Sequence, residues 1–502
     1  MDTFQNLLMG FSVALSPQNL MYAFVGSMLG TLIGVLPGIG PVAGCAILIP
    51  LTYQLTPTGA IIMLTALFYG TAYGGTITSV LLNVPGEASS AITCLDGYAM
   101  TKKGRAGSAL AMAAIGSFIG GTFATVALVL AAGPLTRMAL EFGPVEFFAL
   151  VMLALSLLMG LAGKSMIKAL MMGMFGLILA MIGIDPVRGS PRFTFGRMEL
   201  MDGIGFVPVI MGLFGLAEIL ENAEKPFAQV FIAKIGSLIP TRKDLHDSIG
   251  PILRGSVIGT LLGLVPGMTN SASSFLSYIA EKKVSKHPEL FGTGMIEGVV
   301  APETANNAHS NGALIPLFTL GIPASPTVAV IMGAFLMHGL IPGPFLFLDH
   351  ANLVWGVIAS FYIGNIMLLI LNLPLIGIWV KILKIPYGIL FGIIMLFMAV
   401  GAYSVSNNVF GVYVMALFGL IGYLLRKLDF PLAPIVLTLI LGPMIERSLR
   451  TSLEMSQGSL DIFQKSPVAV VLLVLTALIL VTPIFKFFRR GKEAIGEDDE
   501  GA

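Results

Sequence analysis

Gly30-Thr31-Leu32-Ile33-Gly34-Val35-Leu36-Pro37-Gly38 returns as Gly259-Thr260-Leu261-Leu262-Gly263-Leu264-Val265-Pro266-Gly267, with Pro37 and Pro266 229 positions apart. Six of the nine positions are identical, and the other three exchange one aliphatic residue for another. A second pair follows each copy. Tyr73-Gly74-Gly75 leads to Asn83-Val84-Pro85-Gly86, and Asn311-Gly312-Ala313 leads to Gly321-Ile322-Pro323-Ala324. Gly74 and Pro85 map onto Gly312 and Pro323, both 238 positions on. The chain therefore holds two copies of one unit, each with two Gly/Pro interruptions inside long apolar segments. Paired interruptions in corresponding halves mark the binding site of a secondary transporter.

Composition agrees with that class. The 502 residues are 56% hydrophobic and 11% charged, with a mean hydropathy of +0.91. Soluble domains carry about 25% charged residues, so this chain is solvated by lipid. Its 59 glycines exceed the usual share of about 7%, as close helix–helix approach requires. A net charge of +1 gives no footprint for nucleic acid. Cys45 and Cys94 lie in apolar stretches without CxxC spacing and read as structural thiols, not a metal site or disulfide framework. The 28 methionines read as core filler. Met1 to Asn6 has no basic n-region, so no cleavable signal peptide is expected.

Taken in order, residues 4–14 are too short to span the membrane, and 20–36 enter it. The apolar run from Gly38 to Pro50 is short, as in a re-entrant hairpin. Residues 58–82 form a long apolar stretch that breaks at Asn83 to Ser90, before the basic loop Lys102-Lys103-Gly104-Arg105. Further spans are expected at 106–135, 145–162, 166–184 and 204–221, then at 352–378, 388–405, 409–425, 431–445 and 467–486. The expected fold is an all-α polytopic membrane protein with re-entrant hairpins, broken helices and about 10–12 transmembrane segments. As a single transport domain over 1–502, it divides into repeat one (17–222), a polar linker (223–247), repeat two (248–445), a C-terminal helix (467–486) and a solvated tail (487–502).

Loop charges set the orientation of the copies. The loop after the first break is uncharged in copy one (Leu51 to Thr58) but basic in copy two (Glu281-Lys282-Lys283-Val284-Ser285-Lys286-His287). The loop after the second break reverses this, basic at Lys102 to Arg105 and uncharged at Gly339 to Gly343. Cytoplasmic loops carry the excess of Lys and Arg, so the repeats read as inverted. The Lys486 to Lys492 cluster likewise places the C-terminus in the cytoplasm. Arg188, Arg192, Arg197, Arg447 and Arg450 fall on the wrong side of that rule.

Broken helices leave unpaired N–H groups at half-helix N-termini and free C=O groups at C-termini. The first suit a carboxylate and the second a cation. The residues expected around one central substrate site are Gly38, Asn83, Pro85, Gly86, Ser89, Thr269, Asn270, Ser271, Asn306, Asn307, Pro323 and Ser325. Oxygen donors for a coupling cation are expected from Thr76, Ser79, Asn83, Asn311 and Thr319. These donors favour Na⁺ over H⁺, since only Glu87, Glu303 and His309 offer titration. Ionisable residues at membrane depth are functional by default, which singles out Glu87 and Glu303 as coupling or structural acids. The bland readings stand beside these. Ser and Gly also serve as packing contacts, Glu303 fits a helix cap at Thr304, Glu87 fits the interface beside the basic loop, and His309 fits a packed imidazole.

Gly30 to Pro41, Tyr73 to Ser90, Gly183-Ile184-Asp185 with Arg192-Phe193-Thr194-Phe195-Gly196, and Pro302-Glu303-Thr304-Ala305-Asn306-Asn307-Ala308 resemble the TctA family. This is the large membrane subunit of the bacterial tripartite tricarboxylate transporters. The resemblance covers roughly 20–445, and the Pro302 to Ala308 run with the paired Pro-Gly motifs is specific. It implies a permease in the bacterial inner membrane, working with a small TctB-like membrane subunit and a periplasmic, TctC-like solute-binding protein. It also implies uptake of citrate-like or other carboxylates on a cation gradient, without a cofactor. Alternatives within transport are a dicarboxylate permease of the related tripartite periplasmic type and a stand-alone carboxylate/cation symporter. An enzyme would need aspartate-rich, HExxH or GxSxG motifs in a suitable setting, and none is found. A channel or scaffold subunit would seldom pair broken helices.

Overall fold

Ser-Pro and Thr-Pro steps start several helices. Ser16 caps Pro17–Val35, Thr56 caps Pro57–Leu82 and Ser325 caps Pro326–Met337, each hydroxyl accepting an N–H of the first turn. Proline suits these first positions because its missing N–H would be unpaired there in any case. The computed structural model describes residues 3–36, 38–161, 165–185, 188–224, 235–382 and 387–481. Pro37, residues 225–234 of the expected linker, the end of the last helix and the tail with its basic cluster lie outside the described residues.

The fold is all-α. Among the described residues, seven helices are long and apolar enough to cross a membrane: Pro17–Val35, Pro57–Leu82, Ala106–Leu140, Pro144–Leu161, Phe206–Ala223, Ala351–Asn372 and Val409–Lys427. Five shorter apolar helices accompany them, including Pro41–Thr52 and Pro326–Met337. Two compact units form, one from 1–139 with 205–425 and one from 140–204 with 426–502.

In the first unit the repeat reappears contact for contact. Pro17–Val35 packs on Pro57–Leu82, and Arg242–Gly263 packs on Glu297–Gly312. A Cβ on Gly30 would lie 2.4 Å from the Leu67 carbonyl oxygen, and one on Gly259 2.3 Å from that of Ala305. Gly34 faces the Thr71 carbonyl and Gly263 that of His309, while Gly74 faces Thr31 and Gly312 faces Thr260. Every pair obeys the 229 and 238 spacings. Glycine is required because only a missing Cβ lets the backbones approach so closely.

The breaks match as well. Gly38 and Gly267 both sit at φ 91, and Asn83 and Gly321 end their helices in the left-handed region. The short Pro41–Thr52 helix packs on Pro326–Met337 of the other copy, and Asn270–Val284 packs on the Ala88–Ala91 turn. Pro57–Leu82 is buried throughout its spanning window. It hides Thr65, Thr71 and Ser79 by bonding their hydroxyls to carbonyls three or four residues back, so these three donors are not stranded away from water.

Loops bearing Lys and Arg gather together. Arg105 pairs with Asp244, Gly107 N donates to the Ile235 carbonyl, and Asp96 accepts the N–H groups of Gly292, Gly294 and Met295. Burial works against the Asp244 charge, but Arg105 and Thr241 outweigh it and hold the carboxyl below the usual range. That carboxylate and Thr241 form a capping box, so the helix starts at Arg242, inside the stretch read as linker. The uncharged counterpart loops also meet, with His338 beside the Thr52 backbone.

In the second unit, Ala433–Met455 packs on Pro144–Leu161 and Met166–Ala180. Gly183–Ile184 and Pro191–Arg192 make a two-residue antiparallel hairpin. Arg192 bonds Glu446 at 2.8 Å, and Arg450 grips Asp185 at 3.0 and 3.1 Å. Two of the arginines that broke the loop-charge rule are therefore neutralised in one cluster. The same cluster explains why this helix runs on to Met455, well past its apolar part.

Candidate functional site

The polar run from Pro302 to Asn311 forms part of the continuous helix Glu297–Gly312, buried from Gly298 onward. Glu303 is therefore not a helix cap. Its two carboxylate oxygens accept the hydroxyls of Thr76 and Thr93, each at 2.5 Å, and both threonines belong to the first copy. Glu87 answers from the other side. Buried within the protein, it caps the Ala88–Ala91 turn, accepts the Ser89 hydroxyl and accepts Asn306 Nδ2 at 2.9 Å. Each copy thus supplies a buried carboxylate that is bonded by side chains of the other copy.

The network continues through Asn306, whose Oδ1 accepts Asn270 Nδ2 at 3.0 Å. Asn270 also reaches Ser310 Oγ at 2.8 Å and the Asn306 carbonyl at 3.2 Å. Beside it, Ser273 Oγ meets His309 Nδ1 at 2.7 Å, and Ser79 bonds Ser90 at 2.9 Å. A packed histidine is what the sequence reading allowed for His309.

Of the expected substrate residues, the structure joins Ser89, Asn270 and Asn306 through Glu87. Gly86 packs against Gly34 and Gly75, where its own Cβ would lie 2.1 Å from the Gly34 carbonyl oxygen. The Gly38 carbonyl accepts Asn222 Nδ2 at 2.7 Å, and Gly40 N donates to Glu218 at 3.1 Å. A separate helix thus holds that break. Asn83 and Pro85 are exposed, as is Thr269, which caps Asn270–Val284, and Ser271 is half-buried. Pro323 and Ser325 are buried, Ser325 as a cap. Asn307 donates to the Glu303 carbonyl at 3.3 Å.

The structure does not gather the five cation candidates into one shell. Thr76 serves Glu303 and Ser79 serves Ser90, whereas Asn311 bonds Gly121 and Thr125. Thr319 bonds back to the Ile315 carbonyl, and Asn83 stands at its helix end. Among the described residues, no group of three or more His, Cys, Asp or Glu side chains is placed to hold a metal ion, and both cysteines are free and buried.

Thr93, Asp96 and Asn365 escaped the sequence reading. Asn365 carried a usable signal, being an amide in the middle of an apolar span. Thr93 and Asp96 carried none, because they follow the break in a stretch that reads as an ordinary amphipathic turn.

Comparison with known proteins agrees with this architecture. The chain is 46% identical, over 501 residues and the full length of both proteins, to an Agrobacterium vitis protein described as an uncharacterized 52.8 kDa protein in the TAR-I ttuC' 3' region. A second Agrobacterium vitis protein, described as an uncharacterized protein in the TAR-II ttuC' 3' region, is 44% identical over 242 residues, which is 48% of this chain and all of that one. No solved structure matches. The family model for the tripartite tricarboxylate transporter TctA family matches residues 20–437, and this chain belongs to that family.

Proposed function

We propose that this subunit imports tricarboxylates or related carboxylates across the bacterial inner membrane, driven by a cation gradient with Na⁺ favoured over H⁺. One observation carries the reading: each repeat places a carboxylate among the hydroxyls or amides of the other, beside backbone breaks. Moving one repeat-derived unit against its surroundings must then remake those bonds, which is the coupling an alternating-access carrier needs. Glu87 and Glu303 are already bonded, so they act as ties between the repeats. Helix ends and neutral donors hold the substrate. Both acids being engaged, oxygens of Ser, Thr and Asn are left for a hard cation, which supports Na⁺.

The repeats are inverted in this reading. Loops bearing Lys and Arg meet each other, and uncharged counterparts meet each other, as an inverted pair requires. Cysteines at Thr56 and Lys283 should label with impermeant reagent from opposite faces, and labelling of both from one face sinks the inversion.

Capture of dilute substrate falls to a TctC-like periplasmic protein, with a TctB-like small subunit alongside. Reconstitution in proteoliposomes, with and without those partners and with Na⁺ or choline outside, tests the scheme. Full uptake by this chain alone would favour a stand-alone carrier. Uptake indifferent to choline but abolished by a protonophore would reassign the coupling to H⁺.

A further inference from the structure

The face of Glu297–Gly312 turned away from Asn270 carries amide oxygens that nothing satisfies. Asn307 Oδ1 and Asn311 Oδ1 are fully buried, one helical turn apart, and without a hydrogen-bond partner. Their orientation is not arbitrary. Asn311 Nδ2 donates to the Gly121 carbonyl at 2.9 Å and to Thr125 Oγ1 at 3.1 Å, and Asn307 Nδ2 donates to the Glu303 carbonyl. Flipping either amide would set oxygen against a carbonyl oxygen. Thr304 Oγ1, on the same side of the helix, is also unpaired.

A third amide closes on the same place. Gly121 has no side chain, and a Cβ there would lie 2.7 Å from Asn365 Nδ2, 3.1 Å from Asn365 Oδ1 and 3.3 Å from Asn311 Nδ2. Asn365 Oδ1 accepts only the Tyr73 hydroxyl, at 3.3 Å, which leaves a lone pair free. Glu297–Gly312 and Ala351–Asn372 thus bring the amides of Asn311 and Asn365 together against Gly121 of Ala106–Leu140, with the Asn307 amide one turn away on the first of them. Buried acceptors left unpaired are costly, so this arrangement calls for an occupant that brings positive charge or donors.

We propose that Asn307, Asn311 and Asn365 hold a monovalent hard cation, Na⁺, through their side-chain oxygens. Carbonyl-type oxygens replace the water shell of such an ion. A divalent ion would demand carboxylates, and the Glu303 carboxylate is engaged elsewhere, on Thr76 and Thr93. Tying the ion to the helix that carries Asn306 and Glu303 links ion occupancy to the network between the repeats. This site rests on the Na⁺ coupling proposed above and gives it a location.

The test reads binding directly on the purified full-length chain, as the rise in melting temperature when NaCl replaces choline chloride. Wild type should show a saturable rise. Asn307→Leu should need at least tenfold more Na⁺ for half of that rise, while eluting as a single species and melting like wild type in choline. No rise in wild type overturns both the site and the Na⁺ coupling. A rise in wild type with unshifted Na⁺ dependence in Asn307→Leu and in Asn365→Ser keeps Na⁺ coupling but overturns this site, whose oxygens then hold water. Should Asn307→Leu fail to fold, Asn307→Asp decides. It preserves volume, adds charge and should shift half-saturation at least threefold, and an unshifted value overturns the site.

Discussion

Gly34→Ala should destabilise the protein by about 1–3 kcal/mol, the usual cost of overpacking a tight core. A Cβ at Gly34 would stand 2.2 Å from the Thr71 carbonyl oxygen and 2.9 Å from Gly75 N. Both neighbours are helix backbone, so nothing flexible can yield, and the two helices must separate along their seam. Gly263→Ala, the same position in the second copy, meets the His309 carbonyl oxygen at 2.8 Å and should cost less. Gly133→Ala, with nothing within 4 Å, should be neutral or stabilising by up to about 1 kcal/mol through helix propensity. Thermal melts of the three variants in detergent read the order directly. A Gly34→Ala protein as stable as Gly133→Ala would mean that the glycine seam does not hold the repeat together.

Asn306→Ala should reduce uptake at least tenfold while costing far less in stability. Interhelical hydrogen bonds in membranes average only about 0.6 kcal/mol, so losing the bonds to Glu87 and Asn270 leaves a folded, inserted chain. The remaining groups, a buried carboxylate short of one donor and an amide short of one acceptor, must rearrange, and the tie between the copies goes with them. Asn306→Ala and Glu87→Ala should be strongly non-additive in transport, because each breaks the one bond between the two partners. Uptake assays alongside surface expression check both statements. Near-normal uptake in Asn306→Ala would reduce this network to packing.

Much of this was legible in the residues alone. Backbone breaks are written in Gly and Pro, whose conformational limits are local. The breaks at Gly38, Asn83, Gly267 and Gly321 therefore fall where the motifs put them, and the helices between them follow from apolar length. The repeat was legible because both copies keep glycine at Gly30, Gly34 and Gly74 and at Gly259, Gly263 and Gly312, where one backbone touches another. Membership of the TctA family rested on motifs of the same kind.

Tertiary structure decided who bonds whom. Glu303 has no sequence neighbour that reveals Thr76 and Thr93, which lie 227 and 210 positions away. Nor does Asn306 reveal Glu87, 219 positions away. A polar residue in an apolar run must find a partner, but its identity depends on which helices the glycine seams bring within reach. For the same reason Asn83 and Thr269, polar and beside breaks, stand exposed, while Asn365, far from any break, lies inside. Local chain chemistry sets where helices stop, and only packing sets which faces meet.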